Sequence, residues 1–152
     1  MEIRELAAGD TALAFEPMAE LRAGHPVVES LETFVRWVNE RQRPEGYRLV
    51  ATFVPPLPAA IGVAGFRRLH TLAWGDVLYI DDLGTLETFR GHGHANALLR
   101  WIAAEGERLG CEQLHLDSGH HRHAAHRVYL AHRFRISSHH FSRVLDASTR
   151  NP

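Results

Sequence analysis

Apolar residues recur along this chain with two different periods, one suited to strands and one to helices. Met1 to Leu6 alternates weakly and predicts an edge strand. Asp10 stands where an N-cap would open a helix through Leu13, Met18 and Leu21, with Pro17 marking a kink or a late start, and Gly24-His25-Pro26 ends it. Ser30 is placed to cap a second helix in which Leu31, Phe34, Val35 and Val38 share a face. Its capping box is incomplete, because Thr33 occupies the position of the reciprocal glutamate or glutamine. Tyr47 to Val54 reads as a strand stopped by Pro55-Pro56-Leu57-Pro58. Ala60 to Phe66 and Asp76 to Leu83 read as two more, parted by a loop around Trp74-Gly75.

Beyond Leu83 the period changes. Ala95, Leu98, Leu99, Ile102 and Leu109 form one apolar stripe on a helix that Gly110 terminates. Gln113 to Asp117 is a short strand, and Ala125, Val128, Tyr129 and His132 mark a further helix. Phe134 to Val144 reads as extended, either one long strand or a broken pair. Strand, helix and strand between Leu78 and Asp117 predict a parallel pair with a right-handed crossover. The fold class is therefore α/β of the mixed α+β kind, a mixed sheet with helices on its faces.

At 152 residues, 45% hydrophobic and 23% charged, with a mean hydropathy of -0.23, the composition is that of a soluble globular domain and excludes a disordered or collagen-like chain. One domain is expected over residues 1–146, followed by a tail of residues 147–152. No apolar run approaches the ~20 residues that span a bilayer, so no membrane partner is expected. The charged N-terminus is unlike a secretory signal and the lone Cys111 has no internal partner, which together give a cytoplasmic expectation. A formal charge of -1 argues against a nucleic-acid partner. All 17 basic residues are arginine. Eight of the 12 histidines fall between His115 and His140 among several arginines, so this stretch gains charge as pH drops below ~6.5. His120, His121, His123 and His126 have helical spacing for metal ligands, but no cysteine or acidic set accompanies them, and no metal is expected. A polar lining by His115, His126, His139 or His140 is one alternative; an RNA-binding surface from His120 to Arg143 is another.

The chemistry concentrates in Asp81-Asp82-Leu83-Gly84-Thr85-Leu86-Glu87-Thr88-Phe89-Arg90-Gly91-His92-Gly93-His94-Ala95, a glycine turn between a strand and a helix start. Backbone N–H groups at such a start lack intrahelical partners, and the helix dipole adds positive charge there. Without Cβ atoms, Gly91 and Gly93 let an anion approach the backbone, and a phosphate or diphosphate is the natural guest. The dinucleotide fingerprint lacks its third glycine here, and a P-loop would need a lysine. The same turn could also simply join strand to helix.

Arg90-Gly91-His92-Gly93-His94-Ala95 resembles the Arg/Gln-x-x-Gly-x-Gly/Ala signature of the GNAT superfamily of acetyl-CoA-dependent N-acetyltransferases. The Leu83-x-Thr85 strand, the amphipathic helix, Leu114 to Asp117 and Ala125-His126-Arg127-Val128-Tyr129 follow in that family's order, from about Ile61 to Ser142. The resemblance implies a mostly antiparallel sheet of six to seven strands with about four helices. It also implies a parallel pair, Asp76–Leu86 and Gln113–Asp117, that splays after a bulge suited to Gly84. Acetyl-CoA would pair along Leu83, Gly84 and Thr85 and rest its diphosphate on Arg90, Gly91, His92, Gly93, His94 and Ala95, with Asn96 as a side-chain contact.

Tyr129 matches the tyrosine that protonates the departing thiolate in this family, although it could instead be a core aromatic. Asp81 and Asp82 align with the acidic pair of the spermidine/spermine branch, which holds and deprotonates a cationic amine; a salt-bridged strand end is the alternative. Asp82 is favoured, because Leu78, Ile80 and Asp82 share a face of a regular strand. A histidine or a relayed water could also be the base. Two departures stand out: Arg122 replaces a frequent asparagine, and Arg133 replaces a glycine. The implied activity is acetyl transfer to a primary amine of a small cation or a protein, with a homodimer as a common assembly among relatives. A non-catalytic acetyl-CoA-binding module is the rival.

Overall fold

The protein is described as a computed structural model over residues 1–145; the tail expected at residues 147–152 lies outside the described residues. Five strands, β1 (Glu2–Leu6), β2 (Arg48–Phe53), β3 (Gly62–Thr71), β4 (Gly75–Thr85) and β5 (Gln113–Leu116), form one sheet in the order β1-β2-β3-β4-β5. Neighbours are antiparallel except β4 and β5, which run parallel and are joined by α3 (His94–Arg108). Two short helices, α1 (Phe15–Leu21) and α2 (Leu31–Trp37), lie between β1 and β2, and α4 (His123–Ala131) follows β5.

Local signals account for most boundaries. Asp10 lies inside a 3-10 turn, Ala8–Ala14, and α1 begins only at Phe15, with Pro17 in its first turn where a missing N–H costs nothing. Ser30 Oγ accepts from the Thr33 N–H at 3.1 Å and caps α2. Gly110 ends α3 at φ +74°. The strand count differs from expectation: five rather than six to seven among the described residues, because Phe134 to Leu145 has no regular secondary structure and leaves Ile136 and Phe141 exposed.

Packing divides the described chain into two compact units, residues 1–118 and residues from Gly119 onward. The first is built on the sheet. Met18, Phe34 and Val38 cover Tyr47, Leu49, Ala51, Phe53 and Val63 on one face. Side chains of the opposite register meet α3, as Phe66 does by packing edge-on against Trp101 at 6.0 Å. Leu98, Leu99 and Ile102 are fully buried there, each contributing roughly 1.5–3 kcal/mol. In the second unit α4 ends in a left-handed turn borne by Arg133 at φ +64°, the position where a glycine would cost less.

Candidate active site

β4 is longer than its parallel neighbour. Pairing with β5 runs from Val77↔Gln113 to Ile80↔Leu116 and stops, while β4 continues to Thr85. Asp81 to Thr85 therefore present an edge with no strand partner among the described residues, as the splayed pair requires. On its other edge β4 stays paired with β3, but the register slips: Ile80 faces Phe66, Asp82 faces Gly65, and Asp81 has no opposite number. The bulge is thus at Asp81, not at Gly84, which pairs regularly with Val63.

That extra residue reverses the side-chain parity of the strand. Leu78 points to α3, where it nears Gly106. Asp82 points to the opposite face, meeting Tyr47 and Arg22 at the end of α1. The expected shared face of Leu78, Ile80 and Asp82 is overturned, because the bulge shifts alternation by one. Both carboxylates are instead engaged from the α1 side.

Their surroundings differ. Asp82 is nearly buried; its Oδ2 accepts from Tyr47 Oη at 2.6 Å and its Oδ1 from Arg22 Nε at 2.7 Å. Arg22 Nη2 also donates to the Asp81 carbonyl at 2.7 Å. Burial, reinforced by Asp82, pushes the Tyr47 hydroxyl well above its ordinary range, so it stays a neutral donor. Asp81 Oδ2 accepts from Arg67 Nε at 2.9 Å. Burial raises the Asp81 pKa, against the Arg67 charge and with the Asp82 charge. Close by, Tyr79 donates to Asp117 just past the end of β5, and burial and that carboxylate raise the Tyr79 pKa. Tyr47, Arg22, Arg67 and the Tyr79–Asp117 pair carry no sequence motif; pairing across the sheet, and for Arg22 the packing of α1 on it, brings them to the acidic pair.

After β4 the chain turns through Glu87–Phe89 into Arg90, Gly91, His92 and Gly93. Gly91 (φ +82°) and Gly93 (φ +86°) are left-handed, and a Cβ on either would meet nothing within 4 Å. Open space therefore lies over the turn. No side chain caps α3, and its first bond runs from the Ala97 N–H to the Gly93 carbonyl, so the His94 and Ala95 amides precede the helical ladder. This cradle fits a diphosphate, and Asn96 lies on the same first turn.

The side chains of the turn face elsewhere. His94 is buried, its Nδ1 2.8 Å from Thr52 Oγ1, and burial lowers its pKa. His92 Nδ1 lies 3.1 Å from the Arg90 carbonyl and 3.2 Å from that of Phe89, both acceptors, and so donates. Arg90 Nη2 donates to Glu20 Oε1 at 2.8 Å and its Nε to the Thr85 carbonyl at 3.5 Å. What the turn leaves open is therefore its backbone.

In the second unit Tyr129 lies on α4, its ring edge-on to Phe134 at 6.0 Å. His126, on the same helix, has a buried Nε2 with no hydrogen-bond partner among the described residues.

Residues 16–134 match the sequence model of the acetyltransferase (GNAT) family. No curated protein matches the sequence. A Trypanosoma brucei acetyltransferase superposes with a TM-score of 0.78 at 21% identity, covering 95% of this chain and 99% of that one. An aminoglycoside N-acetyltransferase in complex with CoA superposes at 0.79 with 18% identity, covering 95% and 93%. A ribosomal-protein-alanine N-acetyltransferase from Brucella melitensis biovar Abortus superposes at 0.74 with 17% identity, covering 96% and 99%. At these identities the likeness is one of fold.

Proposed function

This chain belongs to the GNAT family of acetyltransferases, and from that premise we propose that it transfers the acetyl group of acetyl-CoA directly to a primary amine of a small cationic molecule or protein. The observation that carries the reading is the β4 edge from Asp81 to Thr85, unpartnered among the described residues, with two carboxylates on one face at its start and an open glycine turn beyond its end.

Each part of the chain then has a task. Main-chain groups of Leu83, Gly84 and Thr85 pair with the amide arm of the donor as an added strand would. Amides from Arg90 to Ala95 hold its diphosphate, with Asn96 beside them. The donor supplies an activated acyl group, and alignment in the cleft does much of the remaining work. An amine must be neutral to attack. Asp81 takes its proton: burial raises its pKa, and Arg67 holds one of its oxygens, Oδ2, whereas both oxygens of Asp82 are held. Asp82, with both oxygens held by Arg22 and Tyr47, fixes the end of α1 against this stretch of β4 and so shapes the acceptor side of the cleft. As the acyl–sulfur bond breaks and the carbon–nitrogen bond forms, Tyr129 gives its proton to the leaving thiolate; this role comes from the family's pattern.

The test is acetyl-CoA turnover, read as CoA release, across polyamines, aminoglycosides, other amines and peptides. Release that depends on one amine class supports the reading. Tight acetyl-CoA binding without release for any amine would leave the non-catalytic module.

A further inference from the structure

Glu20 has no part in the reaction above and no sequence motif marks it. It sits in the last turn of α1, yet both of its carboxylate oxygens reach the donor turn. Oε1 accepts from Arg90 Nη2 at 2.8 Å, and Oε2 accepts the backbone N–H of Glu87 at 3.1 Å. Through Arg90 the contact extends to the Thr85 carbonyl at 3.5 Å, so one side chain spans the path from the end of β4 to the residue before Gly91. The helix carrying it is itself seated on the strand. A Cβ built on Gly84 would lie 3.2 Å from Leu21 Cβ and 3.4 Å from the Pro17 carbonyl.

Two considerations set this apart from an ordinary surface pair. Glu20 is 34% exposed and Arg90 60%, and ion pairs this exposed contribute little to stability. A negative charge beside a turn that receives an anion also works against binding by simple Coulomb repulsion. What the carboxylate supplies is geometry: it holds an N–H and a guanidinium in fixed directions just ahead of two glycines that have no side chains to order them.

We propose that Glu20 is a positioning residue for the acyl donor, presetting the Glu87–Gly93 turn so that its amides are arranged before the diphosphate arrives. The inference rests on reading this turn as the diphosphate seat. Pre-ordering removes an entropic cost from donor binding and leaves the chemical step untouched.

Steady-state kinetics of Glu20→Gln and Glu20→Asp against wild type provide the test, with Tm recorded for each. Expected for Glu20→Gln is a KM for acetyl-CoA raised roughly tenfold, the scale of one weakened charge-assisted hydrogen bond. The kcat, the amine KM and Tm should stay near wild type, and Glu20→Asp, which keeps the charge on a shorter arm, should recover part of the loss. An acetyl-CoA KM equal to or below wild type overturns the proposal. So does a joint fall in Tm, kcat and both affinities, which would mark a merely structural role. Wild-type protein that neither binds acetyl-CoA nor turns it over overturns the donor-site reading itself, a result separable from the others because it appears before any substitution.

Discussion

Tyr47 and Asp82 share a 2.6 Å hydrogen bond across 35 residues of sequence, with the hydroxyl donating to a carboxylate oxygen that has almost no access to water. Gly65 makes the approach feasible, since a Cβ there would collide with the Tyr47 hydroxyl. Tyr47→Phe deletes one donor and leaves Asp82 short of a partner. The expected cost is about 1–3 kcal/mol of stability. Chemical denaturation measures it, and acetyl-CoA affinity should be unchanged, because Tyr47 lies outside the donor turn.

Asp81→Asn removes the proposed base while keeping the shape of the bulge. Positioned general bases contribute about 10²–10⁴-fold, and a kcat loss in that range is expected. The wild-type kcat/KM should have an acid limb above the ordinary carboxylate range, because burial raises the Asp81 pKa and the base works only when deprotonated. In Asp81→Asn that limb should vanish. A variant retaining both rate and limb would transfer the role to a histidine or a relayed water.

At Gly93 a methyl group meets two obstacles. The left-handed backbone resists a Cβ by about 1–2 kcal/mol, and that Cβ would occupy the open space over the turn. Gly93→Ala should therefore raise the KM for acetyl-CoA as well as lower stability. Gly110→Ala is the control, since its φ of +74° carries similar strain at the far end of α3. It should lower stability alone.

Tyr129→Phe tests the acid. The ring packing against Phe134 needs no hydroxyl, so folding should persist while kcat falls. Unchanged turnover across pH removes Tyr129 from the mechanism.

Glu105 lies nearly buried on α3, where Arg108 and Arg48 hold its carboxylate and lower its pKa from 4.5 to about 2. A depressed carboxylate stabilises the fold above its unfolded pKa and loses that contribution as pH falls through the folded one. Glu105→Gln should thus lower Tm at neutral pH. The gap to wild type should shrink between about pH 4.5 and 2, as thermal melts across that range would show.

Much of this architecture was legible along the chain. Strand-like apolar runs bounded by prolines and the Trp74-Gly75 loop marked β2, β3 and β4, the stripe from Ala95 to Leu109 marked α3, and Ser30 and Gly110 marked helix ends. These are contacts between near neighbours, which local spacing encodes. The glycine turn was legible for the same reason, as a strand end, two small residues and a helix start in one run. Phe134 to Val144 shows the opposite case: a strand-like pattern without strand pairing among the described residues, because alternation specifies a face but not a partner.

By itself the sequence determined the order of elements as far as α4, the crossover between β4 and β5 and the place of the glycine turn, since each depends on residues a few positions apart. Only the tertiary structure decided where the carboxylates point and what holds them. Pairing against Gly65 and Phe66 leaves Asp81 unmatched, and one surplus residue turns every later side chain of β4 over. Tyr47, Arg22 and Glu20 then reach their partners across 35, 60 and 70 positions, distances over which no periodicity carries information.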